Sequence, residues 1–391
     1  MTTWNDVIKT GDVNTVKDYI ASGANVNEKD KDGYTPLMSA AEEGHLDVVD
    51  LLIENGADIN AKTKVYGATA LMLAAQEGHL DIARRLIEKG ADICAKDKVY
   101  GSTALICAAE RGHLDVVKFL IEKGADANEK TKGNWTTLMS AALSGNIDIV
   151  RLLIEKGADI NVKDKVYGST ALMCAAKGGN IDIVKLMLEK GLDINETSNG
   201  DRTSLMFAAG EGHLDVVKFL IEKGANVNAT CNDGYTALMF AGAGGHIDIV
   251  RLFSDMGLDI DVKDKRGRTT LMLAAEKGYL DIVRLLIEKG ADINAKANVG
   301  WTALMYAAAE KGHLDVVRLL IEKGADINIK SKYGYTALMC AAQGGNIDIV
   351  RLFSDMGLDV NATDWDGKTA ANIAKEKGHI EIAELLAKAA K

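Results

Sequence analysis

The hydrophobic positions of this chain fall into two short helical patterns that return every 33 or 34 residues. In the stretch Gly33 to Lys62, Leu37, Ala40 and Ala41 mark a first short helix with one face of small residues, which lets a second helix approach closely. Val48, Val49, Leu52 and Ile53 are the i, i+1, i+4, i+5 stripe of that second helix. Polar residues and glycines set the ends. Thr35 is placed as an N-cap, with Pro36 at the first helical position, where no donor is needed. Gly44 breaks the first helix, Asp47 suits the positive end of the second helix's dipole, and Gly56 fits a left-handed stop after it. Asp58 to Gly67 then carries the Asn, Lys and Gly signals of a protruding turn or hairpin.

The glycine between the two helices recurs twelve times, from Gly11 through Gly44, Gly78 and Gly112 to Gly378. One such unit cannot bury its own apolar face, so it must stack on its neighbours. The expected fold is therefore an all-α repeat solenoid of stacked helix-turn-helix units with protruding β-hairpins or turns, running as one domain over residues 1–391. Residues 1–29 read as an N-terminal cap, since Asp12, Asn14 and Lys17 surround the apolar positions. Residues 364–391 read as a C-terminal cap, where Ala371 stands in place of the core Leu and Lys375 in place of the second Ala. Ten internal repeats fill residues 30–363. The tenth repeat has one extra residue between Leu304 and Gly312, which should bulge or lengthen its first helix. A longer period of 100 residues overlies the short one: GHLDVVKFLIEKGA occurs at Gly112 and Gly212, and DIVRLFSDMGLD at Asp248 and Asp348, as block duplication would leave them.

The skeleton Gly-x-Thr-[Ala/Pro]-Leu-Met-x-Ala-Ala, Gly-[His/Asn]-[Leu/Ile]-Asp, Leu-Ile, Gly-[Ala/Leu]-Asp-x-Asn resembles the ankyrin-repeat family over essentially the whole chain. Three departures stand out. Pro36 is the only proline, most repeats having Ala at that position. Met occupies the family's usual His position in nine of the ten internal repeats, from Met38 to Met339, and reads as space-filling between repeats. Three hairpins carry an extra residue, giving Lys-Val-Tyr-Gly at Lys64, Lys98 and Lys165.

Composition removes several function classes. A net charge of −10 with interspersed signs argues against nucleic-acid binding, which wants a basic face. No apolar run approaches the roughly 18 residues of a spanning helix, and the repeat pattern starts by Trp4 with no signal peptide. A cytoplasmic monomer with no membrane insertion is expected. Cys107, Cys174 and Cys340 share one register two or more repeats apart, beyond disulfide reach, and Cys94 and Cys231 lie in hairpins, so all five read as free thiols.

Catalysis finds no residues outside the repeat. All seven histidines, from His45 to His379, occupy the slot after the turn glycine, which Asn146, Asn180 and Asn346 fill in sister repeats. That slot reads as structural, satisfying backbone groups of the turn. The repeated Asp is a helix-start residue and not half of a catalytic pair. Catalytic residues, metal ligands and cofactors are all expected to be absent, and the protein is expected not to be an enzyme.

What varies between repeats is more informative. The residue before the capping Thr includes Tyr34, Trp135, Arg202, Tyr235, Arg268, Trp301 and Tyr335, and Tyr66, Tyr100 and Tyr167 lie two residues before that position in their hairpins. Aromatic and Arg side chains on an exposed row are the composition of interface hot spots, although each could instead pack on the next hairpin. By resemblance, hairpin tips and the exposed side of the first helices line a concave binding face. Leu143, Lys177 and Glu211 sit at its floor, beside the small residues Ser144, Gly178, Gly210 and Gly244, which suggests a partner spanning Thr131 to Gly257. The expected function is a non-enzymatic protein–protein interaction scaffold whose partner the sequence does not name. The alternative is a structural or engineered repeat scaffold without a dedicated partner.

Overall fold

A computed structural model describes residues 3–309 and 312–390. The chain divides into two compact units, one through residue 199 and one from residue 200. The first unit stacks six helix pairs. After Trp4–Ile8 with Val13–Ala21 come Pro36–Glu43 with Leu46–Glu54, Ala70–Glu77 with Leu80–Glu88, and Ala104–Arg111 with Leu114–Glu122. Thr137–Ser144 with Ile147–Glu155 and Ala171–Lys177 with Ile181–Glu189 complete it. The second unit stacks six more pairs, from Ser204–Glu211 with Leu214–Glu222 to Ala370–Glu376 with Ile380–Ala389. Within each unit, every first helix packs on its own partner and on the first helix of the next pair, in sequence order. This is the expected all-α stacked repeat.

Each first helix forms because its N-terminus is satisfied and its faces are buried. Thr69 Oγ1 accepts from the Met72 N–H at 3.3 Å, and Thr35, Thr136, Thr170 and Thr336 do the same for their own helices. Leu71, Ala74 and Ala75 have almost no exposure, and their equivalents repeat up each unit. The Met column is buried throughout, from Met38 to Met339, so it fills space between repeats and offers no adaptable surface. Of the hairpins or turns expected between repeats, turns form: among the described residues only isolated bridges, Lys130 with Thr136 and Thr363 with Thr369, cross them. The cause is local. A side chain at the base of many loops takes the N–H groups that a facing strand would use, as Asp97 does for Val99, Tyr100 and Ser102. The extra residue of the tenth repeat cannot be followed, because residues 310–311 lie outside the described residues beyond the helix Ala303–Ala309.

Three inter-repeat bonds recur within the units. The first joins turns. The His or Asn slot reaches into the preceding turn, and Asn146 also caps its own helix by accepting from the Ile149 N–H at 3.1 Å. His79 Nε2 bonds the Glu42 carbonyl at 3.0 Å, His113 the Gln76 carbonyl at 2.8 Å and His246 the Gly210 carbonyl at 2.8 Å. The shorter Asn146 and Asn180 amides reach only the turn glycines themselves, Gly112 and Gly145, at 3.0 Å. To make room, the turn glycine must lack a Cβ: one built on Gly78 would sit 2.5 Å from His113 Nδ1. The same glycine also needs its left-handed φ of 80° to end the helix. The second bond joins loops, one backbone bond per step, as from Lys98 N–H to the Tyr66 carbonyl at 2.7 Å and Lys132 N–H to the Tyr100 carbonyl at 2.8 Å. The third uses the Asn of Gly-Ala-Asp-x-Asn. Asn60 Nδ2 donates to the Gly90 carbonyl at 3.1 Å while its Oδ1 accepts from the Asp92 N–H at 2.8 Å.

Asp261 occupies that Asn slot in the second unit. Its Oδ2 accepts from the Asp292 N–H at 3.0 Å, but its Oδ1 is buried without a partner, because a carboxylate has no N–H2 to donate. Burial, opposed by the Asp292 N–H bond, raises its pKa above the usual carboxylate range. A raised folded pKa means the charged form is penalised. The penalty is full above the folded pKa and disappears as pH falls below the unfolded value. Asp261→Asn should therefore stabilise the second unit at neutral pH by about 1 kcal/mol, with the gain vanishing toward acid pH in thermal melts. A second pair of variants tests the turn seam. Gly56→Ala meets nothing within 4 Å and carries only the left-handed strain of φ 83°, so it should cost about 1 kcal/mol. Gly78→Ala must also displace the His113 ring and should cost roughly twice that or more. Denaturant unfolding of the two side by side checks the difference.

Candidate functional site

In two of the three Lys-Val-Tyr-Gly loops an acidic side chain is tucked inside; in the first, Thr63 takes that place and its Oγ1 accepts from the Ala68 N–H at 2.9 Å. Asp97 Oδ1 accepts from the Val99 and Tyr100 N–H groups at 2.8 and 2.7 Å, and its Oδ2 from Ser102 at 2.6 Å. Asp164 does the same for Val166, Tyr167 and Ser169 at 2.9, 2.8 and 2.6 Å. Burial works against the Asp97 carboxylate, yet these N–H bonds hold its pKa below the usual range. With the loop interior filled by carboxylate, the apolar side chains turn outward. Tyr100 is 65% exposed and Tyr167 68%. Exposed aliphatic and aromatic side chains held on rigid loops are costly to leave in water, which favours their being covered.

The loop between these two is different. Lys132-Gly133-Asn134-Trp135 is one residue shorter and puts Gly133 and Asn134 where its neighbours carry Val and Tyr. Thr131 closes it by accepting from the Asn134 N–H on its carbonyl and from the Trp135 N–H on its hydroxyl, at 3.0 and 3.1 Å. Asn134 takes a left-handed φ of 62°. The result is a gap in the row of tips: a cleft of about 770 Å³ with Val99 and Tyr100 on one wall and Val166 and Tyr167 on the other. Its floor is Trp135, Ile106 and Leu143. The Trp135 Nε1–H donates to Ser140 Oγ at 2.8 Å, laying the indole along the helix Thr137–Ser144.

The expected site residues thus separate into groups. In the first unit, Tyr100, Trp135, Leu143 and Tyr167 come together around the cleft. Tyr66 is exposed on an earlier tip, Tyr34 is half-buried with its N–H on Asp30 Oδ1, and Lys177 is exposed at a helix end. In the second unit, the recess around Tyr235 is smaller, about 340 Å³, and charged side chains including Arg202, Asp264 and Arg268 line it. Arg268 donates to the Tyr235 hydroxyl at 2.5 Å and pairs with Asp264 at 2.9 Å and Glu276 at 3.4 Å, leaving its side chain 13% exposed. Tyr235 also leans on Phe240 with ring centres 5.3 Å apart, and the Arg202 guanidinium lies 5.1 Å over that same ring. Burial raises the Tyr235 pKa, consistent with a packed hydroxyl. Glu211 is exposed at its helix end. Trp301 packs edge-on against Tyr306 at 5.2 Å, and Trp301 and Tyr335 border a smaller recess of about 290 Å³ with Val299 and Tyr333.

The span Thr131 to Gly257 is divided between the two units. Two of the small residues expected to deepen the floor, Gly178 and Gly244, also serve close helix packing. A Cβ on Gly178 would meet the Leu143 carbonyl at 2.4 Å, and one on Gly244 the Gly210 carbonyl at 2.8 Å. They let helix ends approach each other. Val99, Val166 and Ile106 were not singled out from sequence. The signal was a short loop between two long ones.

The whole chain matches a family model described as ankyrin repeats (3 copies), in overlapping segments from residues 5–97 to residues 304–391. Ankyrin repeat domain-containing protein 49 of Bos taurus is 60% identical over 38 residues, 10% of this chain and 16% of that protein. An ankyrin repeat and KH domain-containing protein of Caenorhabditis briggsae is 51% identical over 51 residues, 13% of this chain and 2% of that protein. Alpha-latrotoxin-Lt1a of Latrodectus tredecimguttatus is 44% identical over 45 residues, 12% of this chain and 3% of the toxin. Each match spans far less than two thirds of the relative's own length.

Among the described residues, no cluster of three or more His, Cys, Asp or Glu is arranged to hold a metal ion, and no helix is long and apolar enough to cross a membrane. The thiols differ in environment. Burial pushes Cys107 and Cys174 up to about 12, and Cys340 is fully buried and shifted further in the same direction. Cys231 is buried at the base of its loop, whereas Cys94 is exposed in an Asn slot. Native protein should accordingly react with a thiol reagent at Cys94 alone, and unfolding without reductant should release all five. Native modification of Cys174 or Cys340, or a shortfall of two after unfolding, would contradict these placements.

Proposed function

This chain belongs to the ankyrin-repeat family, and on that premise we propose that it is a protein-interaction scaffold whose partner docks in the cleft between the Val99–Tyr100 and Val166–Tyr167 tips. Ankyrin repeats are generally protein–protein interaction modules and generally not enzymes. The carrying observation is the contrast between the units: the first leaves exposed Val and Tyr side chains around an open, partly apolar cleft of about 770 Å³, and in the second the Arg268–Tyr235–Glu276 cluster narrows the recess to about 340 Å³ and lines it with charge. Rigid aromatic anchors gathered at one concavity lose little conformational entropy when covered, which is the property of interface hot spots. On this reading both units serve one scaffold, with the first carrying the primary contact and the Trp301–Tyr335 recess an accessory one.

The test begins with capture of a partner by the intact chain and identification by mass spectrometry. Tyr100→Ala with Tyr167→Ala should then weaken that complex by about 2 kcal/mol or more, read by calorimetry, with little change in melting temperature because both rings are exposed. Tyr235→Ala should weaken it far less. A partner that binds the first double variant normally and loses affinity with Tyr235→Ala would move the site to the second unit.

A further inference from the structure

The chain as a whole is acidic, at −10, yet four successive loops in the first unit are basic. Each of the loops at residues 61–68, 95–102, 129–136 and 162–169 carries a tip-side lysine, namely Lys64, Lys98, Lys132 and Lys165, with another lysine two residues before it. Within these loops stand three acids, Asp97, Glu129 and Asp164, all facing inward, and Glu196 beyond them pairs with Lys163. Asp97 and Asp164 are occupied by loop N–H groups, and Glu129 accepts from the Thr103 hydroxyl. All eight lysines are exposed. Lys132 donates to the Lys98 carbonyl. By contrast, Lys98 and Lys165, which bracket the cleft two residues from Tyr100 and Tyr167, make no ion pair or side-chain hydrogen bond among the described residues.

We propose that the occupant of the cleft is an acidic protein segment carrying one bulky apolar side chain: the side chain enters between Tyr100 and Tyr167 onto Trp135, and flanking Asp or Glu residues pair with Lys98 and Lys165 along the tips. This rests on the interaction reading above and specifies the partner's chemistry. Charge complementarity selects the sign, since a basic segment would meet the exposed lysine row. The concavity selects a peptide over other polyanions. A bilayer surface would rest on the protruding tips and leave the floor uncovered, and a phosphate backbone would pair with the lysines without filling the apolar cleft. Glu110, exposed on the helix side of the lining, fixes the orientation by keeping the acidic flanks on the loop side.

The experiment is selection of a random dodecapeptide display library on the full chain, followed by anisotropy titrations of labelled synthetic peptides. The expected result is enrichment of peptides with one Leu, Phe or Trp flanked by Asp or Glu. Their binding should fall at least tenfold on removing the apolar residue, on raising salt, in Lys98→Glu with Lys165→Glu, and in Tyr100→Ser with Tyr167→Ser. Thermal melts verify folding, and Lys98→Gln with Lys165→Gln serves if charge reversal destabilises the chain. Peptides that need Tyr100 and Tyr167 but show no acidic enrichment and ignore the lysine variants would overturn this inference and leave the interaction reading standing. Peptides indifferent to the tyrosine variants, or no enrichment, would overturn both. Single-stranded DNA or phosphatidylserine vesicles that bind as tightly as the selected peptides, regardless of the apolar residue, would show a generic polyanion surface and also overturn it.

Discussion

Most internal repeats in this protein depend on a polar contact that they do not make alone. The turn between a repeat's two helices exposes backbone carbonyls at a helix C-terminus, and the ring or amide of the following repeat supplies the donor. Leaving such a carbonyl buried and unmatched would cost on the order of 1–3 kcal/mol. A single unit is therefore deficient in hydrogen bonding as well as in hydrophobic burial. This makes the stack directional, because the donor always comes from the C-terminal neighbour. It also explains why the turn residue is glycine: the left-handed φ ends the helix, and the missing Cβ makes space for the incoming ring. Tyr279 shows the slot's steric character, since its ring rests against Gly245 in the place of a histidine.

Much of the fold was legible in the sequence because its determinants are local and repeated. The Thr cap, the small-residue face, the stop glycines and the Leu-Ile stripe each act within a few residues, and each recurs often enough to be read without ambiguity. The direction of the His contact was not legible. Sequence places His113 beside its own turn, and only stacking reveals that its ring extends 37 positions back to Gln76. The choice between turn and hairpin stayed open in the sequence for a related reason: the competition between Asp97 and a facing strand for the same N–H groups is decided by side-chain geometry.

The candidate site was legible in part. Aromatic loop residues were recognisable as a class, but their fates diverge by what stands next to them. Tyr167 is 68% exposed, whereas Tyr235 faces Arg268 one repeat on and is held at 2.5 Å. The glycines at 178 and 244 mislead in isolation, because a small residue can equally signal a vacancy or a tight fit, and here it signals the fit. The cleft itself arises from a difference in length between successive loops. A reading that treats each loop as an example of one consensus averages that difference away.

The loop bonds join the same backbone atoms at every step, from Lys98 to Tyr66, Lys132 to Tyr100 and Lys165 to Gly133, whatever side chains those residues carry. A junction made of main chain has no side-chain memory. Whole repeats can be gained or lost by recombination with the new seams closing as well as the old ones, so copy number is the cheapest property of this chain for evolution to change. The exposed side chains between those seams then drift without consequence for assembly. A surface specialised in one place, such as the short loop at Trp135 set between two long ones, can thus arise in a scaffold whose stability it never had to support.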